Sequence, residues 1–234
     1  MEISDNKKNM LLIAIQGPES TSKLRKVIGE SFVGIPKFGH QEITIKSKEN
    51  QKETPIFIAR TGYTGEDGYE ILLEKKAGIF LWKELIQNGV TPCGLAARDT
   101  LRLEATLPLY GNDLNQTTTP FEAGLGWIVH LEKPMDFIGK KALEKQNSNG
   151  IKRKLIALKV EGKAIARKGY PVIDKNQTIG EITSGSWSPT LNAGIALAYV
   201  PIEMAKVGTK LNIKIRNQLH SATVVKKPFY RRVS

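Results

Sequence analysis

One cysteine, three histidines and no long apolar run are what set limits on this 234-residue chain. With Cys93 alone, no intrachain disulfide can form and no zinc site with two thiolates is available. Cys93 follows Pro92 with no histidine near it in sequence, so it is expected to be a small buried hydrophobe rather than a nucleophile. His40, His130 and His220 are far apart and fit no metal-ligand spacing. No apolar stretch approaches the roughly 20 residues that cross a bilayer. The segment Met1-Glu2-Ile3-Ser4-Asp5 lacks the basic and apolar regions of a secretory signal, so a cytoplasmic setting is expected, or an organellar matrix in a eukaryote. No phosphate loop of the Gly-x-x-x-x-Gly-Lys-Ser type and no Gly-x-Ser-x-Gly elbow occurs, and Gly185-Ser186-Trp187-Ser188 is expected between strands with no histidine partner indicated.

Acidic residues are scarce in only one region. Residues 1–150 hold 19 Lys and Arg against 19 Asp and Glu, whereas residues 151–234 hold 16 against 4, so the net charge of +12 is carried by the last third. That excess predicts either a solvated lysine-rich surface or a positive field that draws an acidic partner. Nucleic acid is the weaker choice, because the cations are scattered through alternating strands without interleaved stacking aromatics.

Against these absences stands one concentrated feature, Arg60-Thr61-Gly62-Tyr63-Thr64-Gly65-Glu66-Asp67-Gly68-Tyr69-Glu70-Ile71, lying between the strand-like runs Ile56 to Ala59 and Ile71 to Leu73. Glycines at threes permit positive φ or close backbone approach. A tight hairpin needs two loop residues, so the stretch reads either as a wide hairpin with a solvated acidic tip or as a ligand loop.

Around it, Leu11 to Ile15 predicts a strand ending at Gln16-Gly17-Pro18. Ser20 or Ser22 is then expected to cap a helix carrying Leu24, Val27 and Ile28. Ile43-Thr44-Ile45 predicts a strand, and the polar run from Lys46 to Glu53 a loop or hairpin tip. Ile79, Trp82, Leu85 and Ile86 recur at helical spacing and are expected in a core. A helix from Gly94 should carry Arg98 and Arg102 one turn apart and present Leu95, Leu101 and Ala105 to a core. Burying either arginine would need an anion, and surface pairing with Asp99 or Glu104 is the plain alternative. Phe121 to His130 reads as a loose strand or packing segment, and Phe137 to Leu143 as a short helix dissolving in the polar run Gln146 to Gly150, the expected boundary. Six short runs follow, Leu155 to Val160, Tyr170 to Ile173, Thr178 to Thr183, Gly194 to Val200, Leu211 to Ile215 and Ala222 to Val225, spaced for a small antiparallel barrel or sandwich.

In the glycine loop and the Arg98 helix lie a tyrosine that can stack, carboxylates that can accept ring N–H groups, and an arginine that can hold a carboxylate. They would suit a flat, hydrogen-bonding, acid-tailed ligand.

Arg60 to Ile71, Gly94 to Ala105, Leu109-Tyr110-Gly111-Asn112-Asp113 and Gly180-Glu181-Ile182-Thr183-Ser184-Gly185 closely resemble the aminomethyltransferase of the glycine cleavage system, the T-protein. Ile15-Gln16-Gly17-Pro18 and Pro120-Phe121-Glu122 to Trp127 fit as well, and the likeness runs from about Leu11 to the C-terminus. It implies an α+β fold: a folate-binding core with an antiparallel sheet over residues 1–148, and a C-terminal antiparallel β-barrel over 149–234. It implies release of ammonia from the aminomethyl-lipoyl arm of H-protein, with transfer of the one-carbon unit to tetrahydrofolate and no metal. By this resemblance Tyr63, Glu70 and Arg98 contact folate, and Tyr230 is a further candidate on a looser local match. H-protein is typically acidic, which would give the basic last third a partner.

Members of the family carry more chain before the point matching Met1, including a Gly-Gly-x-x-Asp-Asp segment whose aspartate is taken to be catalytic. The chain is therefore expected to be a fragment, a late-started product or half of a split enzyme served by a complementary N-terminal chain. Alone it is expected to bind folate weakly and not to turn over. Two other readings compete. A folate-dependent demethylating domain of sarcosine or dimethylglycine oxidation would need a flavin segment that is absent. The other is a noncatalytic folate-binding or interaction module; its iron-sulfur maturation relative carries a Lys-Gly-Cys motif where this chain has Pro92-Cys93-Gly94, while a generic binding role for a truncated chain stays open.

Overall fold

The computed structural model describes residues 5, 7–46 and 53–232, which form two compact units, Met1–Arg98 and Asp99–Ser234. This division is one of compactness, in which the helices from Asp99 onward cluster with the barrel that follows them. The stretches 1–4 and 47–52 lie outside the described residues, and with them the expected hairpin tip.

In the first unit, β1 (Met10–Gln16), β2 (His40–Lys46), β3 (Glu53–Ala59) and β4 (Gly68–Glu74) form an antiparallel sheet in the order β1-β4-β3-β2. Strict alternation decides which side is buried. Ile13, Ile15, Ile43, Ile45, Ile56, Ile58, Ile71 and Leu73 point to one face and are buried there with Leu24 of α1 (Ser20–Ile28) and Leu81 and Leu85 of α2 (Lys75–Gln87). Fully burying each of these aliphatic side chains contributes about 1.5–3 kcal/mol. Leu12, Phe57 and Leu72 stand on the other face and stay exposed. That second face also carries Gln16 and Glu70, by the same alternation.

Two local expectations fail here. The helix α1 has Glu19 at its N-cap with no side-chain cap, because Ser20 is drawn inward and donates to the Asp67 carbonyl while Ser22 donates back to Glu19. Of the four apolar residues expected in the core from α2, only Leu85 is buried; Ile79, Trp82 and Ile86 are exposed. The helix carries two adjacent apolar stripes. It lies with Gly78 so close to Leu11 that an added β-carbon would be 2.8 Å from the leucine Cδ1, and this contact turns Leu81 and Leu85 inward.

The helix α3 (Leu95–Glu104) leads into the second unit. Leu95 and Leu101 are exposed, against expectation, while Arg102, Leu103 and Glu104 are buried. Phe121 to His130 forms no strand: α4 (Pro120–Ala123) is closed by a reciprocal Thr119–Glu122 capping box, and Gly126–Ile128 is a single 3-10 turn. The helix α5 (Lys140–Asn149) runs through most of the polar stretch before stopping at Gly150. Then β5 (Arg153–Val160), β6 (Pro171–Asp174), β7 (Gln177–Ser188), β8 (Ala193–Pro201), β9 (Lys210–Ile215) and β10 (Gln218–Val225) close into an antiparallel barrel, β10-β5-β8-β7-β6-β9. The run Gly185 to Ser188 lies inside β7 rather than between strands. Positive φ at Lys175 and Asn176, and again at Arg216 and Asn217, gives the two tight hairpins their twist.

The barrel interior is filled by Ile156, Leu158, Val172, Ile182, Leu211 and Ile213, among others. The alternate residues Leu155 and Ala157 face outward, with Ile195 and Leu197, onto Leu103 of α3. The strand β8 is thus apolar on both faces.

Candidate functional site

The glycine loop joins β3 to β4 and is closed at its base by Arg60 and Asp67. The guanidinium donates through Nε at 2.9 Å and Nη2 at 2.8 Å to the two carboxylate oxygens, and through Nη1 to the Ile35 carbonyl. Hydrogen bonding from Arg60 holds the Asp67 carboxyl below the usual carboxylate range, and the same bond raises the guanidinium. The expected solvated acidic tip is therefore not what Asp67 provides. It is the clasp of the loop.

Within the clasp, Gly65 takes φ +77°, which only glycine adopts cheaply, whereas Gly62 and Gly68 serve close approach. A β-carbon at Gly62 would lie 1.9 Å from Gln16 Oε1, and one at Gly68 2.5 Å from the same atom. Gln16 is the residue that sequence reasoning missed. Its place at the end of the Ile15-Gln16-Gly17-Pro18 motif was visible, but nothing local in sequence shows that it is wrapped by a loop more than forty residues later.

The expected ligand residues Tyr63, Glu70 and Arg98 all belong to the first unit. Arg98, on the first turn of α3, places its guanidinium carbon 4.5 Å from the centroid of the Tyr63 ring, a cation–π contact. Arg98 is exposed and Tyr63 partly buried, with the guanidinium lying over one face of the ring. Glu70, on β4, is partly buried. Thr61 Oγ1 donates to its Oε2 at 2.6 Å, while its Oε1 accepts no protein hydrogen bond among the described residues. A free carboxylate oxygen, a stackable ring and a guanidinium are chemically matched to a flat ligand carrying N–H donors and an acid group.

Tyr230 belongs to the second unit, where its backbone N–H donates to the Glu104 carbonyl at 3.0 Å. Arg102, its helical neighbour Arg98 notwithstanding, is a buried structural cation. It donates to Asp113 Oδ2 at 2.7 Å, to Asp99 at 2.8 Å and to Ser184 Oγ at 2.9 Å. Asp113 also accepts from Thr183, Ser184 and the Leu109 N–H. Glu104 is buried as well and accepts from Ser188 and Thr190.

A cleft of about 620 Å³ in this unit is bordered by Lys152, Arg153, Lys168 and Tyr199, and by no expected site residue. Its cations are largely engaged: Arg153 donates to Glu122 and stacks on Tyr199, and Lys168 donates to Gly111 and Asn112. Cys93 is exposed, not buried, with Sγ 3.5 Å from the Thr91 carbonyl. It sits in a loop beyond α2 with no packed face to receive it. Among the described residues no group of three His, Cys, Asp or Glu side chains could hold a metal ion, and no helix is long and apolar enough to cross a membrane.

Residues 1–133 match the family model described as the GCVT N-terminal domain, and residues 153–231 that of the glycine cleavage T-protein C-terminal barrel domain. An aminomethyltransferase of Prochlorococcus marinus is 65% identical over all of this chain and 63% of its own length. One from a Synechococcus species is 51% identical over 99% of this chain and 63% of its own. The crystal structure of the glycine cleavage system aminomethyltransferase T from Bartonella henselae superposes with a TM-score of 0.81 at 32% identity, covering 94% of this chain and 60% of that one. The chain thus spans about three fifths of the length of the relatives it matches.

Proposed function

Because the chain belongs to the glycine cleavage T-protein family, we propose that it serves as an aminomethyltransferase, releasing ammonia from the aminomethyl-lipoyl arm of H-protein and passing the one-carbon unit to tetrahydrofolate. The observation that carries this reading is the meeting of Arg98 with Tyr63, a residue of the same loop from which Thr61 engages Glu70 Oε2. Tetrahydrofolate, when bound, supplies the nitrogen that accepts the one-carbon unit. The residues of this chain hold it: Tyr63 lends its ring as a stacking surface, Glu70 Oε1 accepts ring N–H groups, and Arg98 pairs with a carboxylate. Tyr230 is assigned to the same ligand on sequence resemblance alone. Such residues act by positioning, which lowers the barrier by removing the freedom of the reacting groups.

The basic segment 151–234, with 16 cations against 4 anions, favours an acidic partner such as the lipoylated H-protein. The functional division is read as a folate core over 1–148 and a barrel over 149–234, consistent with where the two family models fall. An exposed free thiol at Cys93 suits a reducing, cytosol-like compartment.

The test supplies this chain with a polypeptide covering the part of the relatives it does not match, adds aminomethylated H-protein and tetrahydrofolate, and measures ammonia. Folate-dependent ammonia release is expected. Demethylation of sarcosine or dimethylglycine instead, or no folate binding and no ammonia, would refute the reading.

A further inference from the structure

Gln16 ends β1, and its carboxamide fills the space that the glycine loop encloses. Nε2 donates to the Thr61 carbonyl at 3.1 Å and to the Tyr69 carbonyl at 3.4 Å, while Oε1 accepts from Thr64 Oγ1 at 3.3 Å. These contacts tie the outgoing and returning arms of the loop to one side chain. The fit is close enough that Gly62 and Gly68 both lack room for a β-carbon against it. Thr61, whose carbonyl Gln16 anchors, directs its own hydroxyl to Glu70 Oε2 at 2.6 Å. A continuous relay therefore runs from Gln16 through Thr61 to Glu70, with Tyr63 carried on the loop between the anchored residues Thr61 and Thr64.

We propose that Gln16 and Thr61 are positioning residues for the ligand of this site. Gln16 fixes the backbone from which Thr61 reaches Glu70. The Thr61 hydroxyl, by engaging Oε2, stops the carboxylate from turning and fixes the direction in which Oε1 accepts. The pocket so made selects a ligand with an N–H donor in one direction, and disfavours an analogue that presents a carbonyl oxygen or an alkylated nitrogen there, since a carboxylate can only accept. The identity of the ligand as a tetrahydrofolate rests on the function proposed above, whereas the relay stands on the geometry alone.

The experiment measures tetrahydrofolate binding by equilibrium titration for the 234-residue chain and for Thr61→Val, Thr61→Ser, Gln16→Ala and Glu70→Ala, each with its melting temperature. Amide hydrogen exchange across residues 61–70 is followed in the absence of ligand. The relay predicts that Thr61→Val weakens binding about tenfold, the size of one charge-assisted hydrogen bond, at an unchanged melting temperature. Thr61→Ser, which keeps the hydroxyl, returns it to within about twofold. Gln16→Ala should accelerate exchange in 61–70 while leaving the barrel unaffected. Binding by Thr61→Val equal to that of the parent chain, with Glu70→Ala impaired, overturns the relay and leaves the folate reading intact. Binding that is absent or indifferent to Glu70→Ala overturns the folate reading, and the relay is then judged by exchange alone: unchanged rates in Gln16→Ala would sink it. Should valine fail to fold, Thr61→Ala takes its place.

Discussion

Replacing Asp113 by alanine should be among the most damaging single changes in the Asp99–Ser234 unit. Its carboxylate is 1% exposed and accepts from Arg102, Ser184, Thr183 and the Leu109 N–H, while Arg102 is itself 1% exposed. Removing it leaves a guanidinium in the interior with only the partly exposed Asp99 as its anion, deprives the Ser184 hydroxyl and the Leu109 N–H of their acceptor, and leaves Thr183 with the Leu197 carbonyl alone. Breaking a buried pair in this way typically costs about 3–5 kcal/mol, because the surviving charge stays desolvated. The remaining Asp99 contact argues for the lower half of that range. Paired replacement, Arg102→Met with Asp113→Leu, removes both charges and should recover about half of the loss or more, since an apolar pair of similar volume avoids the desolvation penalty. Urea unfolding followed by far-ultraviolet circular dichroism gives both numbers. A cost below about 1 kcal/mol for Asp113→Ala, or no recovery in the double variant, would refute the view that Arg102 is held by Asp113 and not by ligand.

Burial, reinforced by the charge of Lys154 and opposed by Asp113, pushes the Lys227 ammonium down to about 8 from 10.5. The folded state therefore binds fewer protons than the unfolded chain between those values, and stability should rise across that pH window. Lys227→Met should add up to about 3 kcal/mol at pH 7 and flatten the dependence, as read by urea unfolding at pH 7 and pH 10. Asp67 shifts in the same direction, so stability again rises with pH, but here as a gain and not as a penalty relieved: its carboxyl is held below 3.8, and the loop clasp is intact above that pH and lost as pH falls through the lowered value. Carboxyl NMR titration should show Arg60→Met returning Asp67 to the ordinary range. Gly62→Ala should cost about 1–3 kcal/mol from overpacking against Gln16, and Gln16→Ala in the same chain should relieve much of it, measured as melting temperatures.

The alternation of Ile13 with Ile15, Ile43 with Ile45 and Ile56 with Ile58 made the first sheet readable, since one buried face forces a two-residue period. The barrel strands were legible for the same reason, and their closure followed from the family resemblance rather than from spacing, which left barrel and sandwich equal. Helix rotation was not legible. In α2 the stripes through Leu81 and Trp82 are equally apolar, and the choice was made by Leu11 lying against Gly78. In α3 the burial of Arg102 over Leu95 depends on Asp113 and Ser184, both far along the chain. Of the site, the residue types in the glycine loop were legible because three glycines among charged and aromatic residues are costly to keep in a plain turn. The carboxamide at its centre was not, because a lone glutamine at a strand end carries no periodic or charge signal.

Whether the glycine loop and Arg98 form a folate site is decided by titrating tetrahydrofolate into the parent chain and into Arg98→Ala. Arg98 lies at the surface, so its loss should leave folding intact while removing a charge-assisted contact. Affinity should fall about tenfold or more with an unchanged melting temperature. Equal affinity in the two chains would contradict it.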